Sequence, residues 1–263
     1  TIVLQDDLSL YSPYAPLQTY AFLEEIEKQK KEIFLLFDVR NTEPLLVWLQ
    51  LNAGMSLEIS AVGNQIRPDA IHFEPHGGLH GLAGGRVVIL QVADTSVVHL
   101  EDGREIVSFL GANMYTATIR HEMTHIATGL LGLGSGDWLR EGIAHATGDI
   151  PIAGGHLRLD PVPRLLSMAP SLTGETRSIE RLLEWRQSFP PAEGDANARL
   201  LSLSLVAFLL EQEPDLPIRE GVLRLDAMDD ARIRSFQDAW SAWLDGLPPP
   251  EPTAASPAKT QSP

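Results

Sequence analysis

His121-Glu122-Met123-Thr124-His125 is an HExxH run. On an α-helix, residues four apart share a face, so the two imidazoles stand about one turn from each other. Two neutral imidazoles at that spacing can grip one zinc ion, and the glutamate between them stands close enough to take a proton from water there. With 8 His and 19 Glu in 263 residues, chance alone supplies roughly 0.02 such runs per chain, so the flanking sequence has to carry weight.

The flanks support a helix. Asn113 to Arg120 contains neither Gly nor Pro, and Met114, Ala117, Ile119, Met123, Ile126 and Ala127 form an apolar helical stripe through the motif. Gly129 and the series Gly132, Gly134, Gly136 then end it. Asp137 to Ala146 reads as a second short helix with Asp137 as its N-cap. It carries Glu141, 16 residues after His125, beyond a glycine-rich turn that lets the second helix fold back beside the first. Two histidines and one carboxylate, with a coordination position left for water, make a hydrolytic rather than a structural zinc site.

HEMTHIATG followed by DWLREGIAHA resembles the gluzincin metallopeptidases, more narrowly the bacterial peptidase MA-like domains, where HExxH is followed by a W-L-x-E-G-x-A segment. The likeness is close over roughly residues 84–147 and extends elsewhere in outline only. It implies His121, His125 and Glu141 as ligands of Zn2+, Glu122 as catalytic base, and a peptide or protein as substrate. The implied reaction is zinc-dependent hydrolysis of peptide bonds by metal-activated water, with Glu122 as general base. The implied fold is α+β and zincin-like, one domain over residues 1–246. An N-terminal α/β lobe (about 1–133), with a mixed sheet, carries the HExxH helix, and the C-terminal lobe (about 134–246) is mostly helical.

Two departures from the pattern matter. Four residues after Glu141 such peptidases usually carry an acidic residue that hydrogen-bonds a zinc-bound imidazole and fixes its tautomer; here the position is His145. Asp137, Asp149 or a backbone carbonyl can take that role, and His145 is a helix-surface or supporting histidine, or else an extra ligand. The second departure concerns the donor facing the developing oxyanion. Tyr11, Tyr14, Tyr20 and Tyr115 all precede the motif, which leaves His156, Arg158 and Arg164 as the donors after it. These departures keep a rival reading open: a metal-binding or interaction domain derived from a gluzincin that no longer catalyses. A structural domain with an accidental HExxH is the third.

Bulk properties narrow the classes further. A chain of 263 residues that is 44% hydrophobic can bury a substantial core. A net charge of −15 argues against sequence-independent binding of nucleic acid, which needs clustered Lys and Arg. The absence of cysteine excludes disulfides, thiolate ligands and cysteine nucleophiles. No apolar run reaches the length of a membrane span, since Leu200–Leu210 is interrupted by Ser202 and Ser204. The sequence begins at Thr1, as a processed segment does, and this together with the family resemblance points to an extracytoplasmic or secreted bacterial location. Oligomeric state leaves no mark in the sequence.

The remaining elements have to position these groups. Tyr14 to Phe37 reads as a helix with apolar Leu17, Phe22, Leu23, Ile26 and Ile33 and a charged opposite face. Leu45–Leu51 and Met55–Val62 are strand-like, separated by the turn signal Asn52-Ala53-Gly54. His72, His76 and His80 recur every four residues, but Pro75 and Gly77-Gly78 point to a loop with exposed histidines instead of a helical metal site. Gly84 to Val92 is the strongest strand, either an edge that pairs with extended substrate, as the resemblance suggests, or an interior strand. Beyond the metal segment, 178–189, 196–211, 218–228 and 231–244 read as helices, with Trp185, Trp240 and Trp243 as packing anchors. Residues 247–263 read as a disordered Pro-rich tail.

Overall fold

The computed structural model of the chain describes residues 2–4, 8–12, 16–40, 44–51, 56–62, 65–73, 81–84, 86–92, 95–100, 105–108, 112–134, 136–149, 152–153, 156–157, 177–184 and 194–246. The chain is a mixed α/β protein that divides into two compact units, Thr1–Gly134 with Thr147–Asp149, and Ser135–Ala146 with Ile150–Pro263.

Among the described residues, the first unit holds two sheets and two long helices. The first sheet comprises β1 (Ile2–Leu4), β2 (Leu8–Tyr11), β3 (Leu45–Leu51), β7 (Val87–Val92) and β6 (Gly81–Gly84), in that spatial order. Its centre, β2-β3-β7, is parallel, while β1 and β6 run antiparallel on the two sides. Apolar side chains recur with period two in the central strands. Leu8, Leu10, Leu45, Val47, Leu49, Val88 and Leu90 are buried, whereas Tyr11, Trp48 and Val87 on the opposite face are exposed. Helix α1 (Pro16–Leu36) buries Phe22, Leu23, Ile26 and Ile33 at helical spacing. It packs on α2 (Thr116–Leu130), and α2 packs on β6 and β7.

The second sheet comprises β5 (Gln65–Phe73), β4 (Ser56–Val62), β8 (Thr95–Leu100) and β9 (Glu105–Ser108). The turn signal after β3 therefore does not fold β4 back as a hairpin. β3 pairs in parallel with β7, and the strands that follow them, β4 and β8, pair in parallel in the second sheet. His72 also departs from its expected loop, since it lies in β5 opposite Glu58; His76 and His80 are outside the described residues. A strand suits His72 because Pro75 and the glycines that break regular structure come only after it.

The strong strand 84–92 is interior. Its β7 core is hydrogen-bonded to β3 on one side and β6 on the other, so among the described residues the outer strand on that side is β6.

The described elements of the second unit are mostly helical. Most of α3 (Asp137–Asp149) belongs here, followed by the two-stranded β10 (Ile152–Ala153) and β11 (His156–Leu157). Five helices follow: α4 (Ile179–Leu183), α5 (Gly194–Glu211), α6 (Ile218–Asp226), α7 (Asp230–Arg234) and α8 (Gln237–Gly246). α5 is buried on every side from Leu201 to Leu209, as befits a helix apolar all round at the centre of a helical unit. Among the described residues, no helix is long and apolar enough to cross a membrane. Gly142 of α3 lies so near α5 that a Cβ there would meet the Ser202 carbonyl at 2.7 Å.

The single helix expected over 231–244 is two. Phe236 N–H donates to Ile233 O, an i→i−3 bond, and the Ser235 hydroxyl donates back to Arg232 O at 2.6 Å, which tightens the chain into a turn. Trp240 is fully buried, and Trp243 lies with its ring 5.9 Å from that of Phe208. Trp185 is outside the described residues.

Candidate metal centre

Helix α2 is started and stopped by identifiable contacts. A 3₁₀ turn, Ala112–Tyr115, leads into it, and the Tyr115 ring packs 5.5 Å from that of Phe22 on α1. The first helical residue, Thr116, donates its hydroxyl to Glu25 Oε1 at 2.5 Å, which brings a carboxylate to the positive end of the helix dipole. At the other end Gly132 has φ +72°, its N–H bonds Gly129 O, and the next N–H, of Leu133, reaches back to Thr128 O. This is a Schellman ending, which a residue with a Cβ would strain. Gly129 itself lies inside the last turn and does not end the helix.

Between these ends the HExxH run is helical throughout. His121 and His125 are half-buried, with their rings edge-on, centroids 4.7 Å apart and Nε2 atoms separated by 3.1 Å. Two nitrogen lone pairs that close repel unless a proton or a cation stands between them. Ligands about 2.05 Å from a common tetrahedral ion are about 3.3 Å apart, so the observed separation fits a shared metal. Glu122 is 4% exposed and is the only acidic or basic side chain among the buried described residues. Carboxylates are rarely buried so completely, and such a group is a candidate for function.

Helix α3 supplies the third donor. A carboxylate oxygen of Glu141 and one ring nitrogen each from His121 and His125 all lie within 4.8 Å of one another. No other His, Asp or Glu group among the described residues comes together in this way. The three side chains can therefore hold a metal ion. Asp137 is the first residue of α3 and not its cap; its carboxylate still faces the favourable end of the helix dipole.

The last turn of α3 is packed directly on α2. The Thr147 and Thr124 hydroxyls are 2.6 Å apart and completely buried. A Cβ on Gly148 would sit 3.0 Å from Ala117 O and 3.5 Å from His121 Cβ.

The supporting residues expected from the sequence fare unevenly. His145 does not join the donor group; its Nε2 is 3.9 Å from Glu141 Oε2, one turn along the same helix and beyond hydrogen-bond length. Asp137 is likewise not in the group. Asp149 closes α3 and His156 lies in β11, but their side chains, like Arg158 and Arg164, are outside what is described. Of the tyrosines, Tyr115 is buried against Phe22, and Tyr11 and Tyr20 are exposed. Sequence reading missed Thr124 and Thr147. The only available sign was a hydroxyl inside the motif and a second one beside Gly148.

No protein-family model, curated protein or solved structure matches the chain.

Proposed function

We propose that the chain is a zinc-dependent peptide hydrolase of the gluzincin type, with a zincin-like first unit. The observation that supports this most is the approach of Glu141 to the His121–His125 pair, because HExxH on its own supplies only two ligands. Two imidazoles and one carboxylate favour a borderline ion such as zinc over magnesium or calcium. The resemblance of HEMTHIATG and DWLREGIAHA to gluzincins points the same way.

A zinc ion held by these side chains supplies Lewis acidity to a carbonyl oxygen and to water. The protein's own part is proton handling and placement. A Glu122 carboxylate oxygen accepts a proton from the attacking water as the new C–O bond forms, and then passes it to the amine nitrogen as the C–N bond breaks. Acid and amine are the products. His121 and His125 act as neutral ligands, each with one nitrogen lone pair directed at the same point. Among the described residues β6 is paired on one side only, and α2 packs against it. Extended substrate adding a strand to that edge would run beside the HExxH helix. In this reading the edge role passes to β6, because β7 is paired on both sides.

The test is incubation of the purified chain with zinc and an unfolded protein, with and without a chelator. Cleavage that the chelator stops and added zinc restores is the expected result. Tight zinc binding with no cleavage, for this and for a panel of peptides, would favour the non-catalytic metal-binding reading.

A further inference from the structure

We propose that Thr124 and Thr147 are positioning residues, a buried clamp that fixes the carboxylate-bearing helix on the histidine-bearing helix and so sets the metal affinity of the centre. This rests on the zinc reading above.

Around α2, successive residues turn by about 100°, which places Glu122 and Thr124 on opposite flanks of the histidine face, each about 80° from it. Glu122 is the flank with acid–base chemistry. Thr124 is the flank that holds α3: its hydroxyl shares a 2.6 Å hydrogen bond with that of Thr147 and also donates to Arg120 O at 2.8 Å. Both threonines are completely buried, so the hydrogen bond between their hydroxyls is made away from water, where it is stronger than at the surface. The next residue, Gly148, abuts Ala117 O and His121 Cβ, so two consecutive residues of α3 are held against α2.

Glu141 lies six residues before Thr147 on the same helix, about 9 Å along its axis. If α3 tilts about the clamp by about 10°, the Glu141 backbone moves by about 1.5 Å over that length. Metal ligands must be placed to about 0.2 Å, so a loosened clamp costs affinity even though neither hydroxyl is a ligand.

Zinc affinity, read by competition with a chromophoric chelator, tests this without depending on turnover. Thr147→Val and Thr124→Val should each bind zinc about tenfold more weakly than the wild type, the low end of the loss seen when support for metal ligands is removed. The double variant should be little worse than either single one, since the two side chains act as one unit. Thr147→Ser, which keeps the hydroxyl, should restore affinity. Thr128→Val is the control: Thr128 is equally buried, but its hydroxyl donates to Thr124 O and His125 O within its own helix. It should lower thermal stability and leave zinc affinity and the cobalt-substituted absorption spectrum unchanged, whereas Thr147→Val should shift that spectrum. Thr147→Ala gives the same comparison if the valine variant does not fold. Wild-type affinity in Thr147→Val, or an equal loss in Thr128→Val, overturns the clamp alone. A wild-type chain that binds no zinc overturns the metal reading and the clamp together.

Discussion

Glu122→Gln is expected to bind one zinc per chain with near wild-type affinity while peptide hydrolysis falls about a thousandfold, the middle of the range for loss of a general base. The reason is the division of labour on α2. His121 and His125 share a face, and Glu122 is turned away from them by about 80°, near enough to handle a proton yet outside the donor group. The amide has the shape of the carboxylate, so it disturbs the packing of this 4% exposed side chain very little. It has no basic oxygen to take up a proton. Removing a buried negative charge should leave folding unharmed or slightly improved, which thermal melting would report. Hydrolysis within tenfold of the wild type would take the proton-transfer role away from Glu122.

His121→Ala and His125→Ala should lose zinc by much more than the roughly 100-fold that loss of a supporting group costs, because one of three donors is gone. The loss has a stability readout as well. A ligand present at about 1,000 times its dissociation constant stabilises the folded chain by about 4 kcal/mol, so zinc should raise the melting temperature of the wild type and leave that of His121→Ala unmoved. His145→Ala is the informative comparison. His145 stands 3.9 Å from the Glu141 carboxylate and is not in the donor group, so this variant should retain its zinc-dependent shift. Equal zinc content in the wild type and His121→Ala would mean that the ion sits elsewhere.

What could be read from the sequence, and what could not, follows from the range of the interactions involved. Periodicity is local. It located α1 to within two residues, placed HExxH inside a helix, and marked Leu45–Leu51 as a strand. Pairing is not local. Whether β7 is an edge depends on β3, which begins some forty residues earlier, and on β6, a four-residue strand with two glycines and little strand propensity. The break between α7 and α8 turns on one serine hydroxyl bonding back to Arg232, a choice that an uninterrupted apolar spacing conceals. The Thr124–Thr147 bond spans 23 residues and involves types common on any surface, so nothing in composition marks it. Glu141 was legible because the DWLREG segment carries it at a workable distance from the histidines; His145 was legible only as a departure from the gluzincin pattern that the segment resembles.

The central claim is that His121, His125 and Glu141 hold one zinc ion, and anomalous scattering from a zinc-soaked crystal, measured on both sides of the zinc absorption edge, tests it most directly. The expected result is a single strong peak about 2.0–2.2 Å from one ring nitrogen of each histidine and from a Glu141 carboxylate oxygen. A peak elsewhere, or one at the imidazoles with Glu141 turned away from it, would contradict the account.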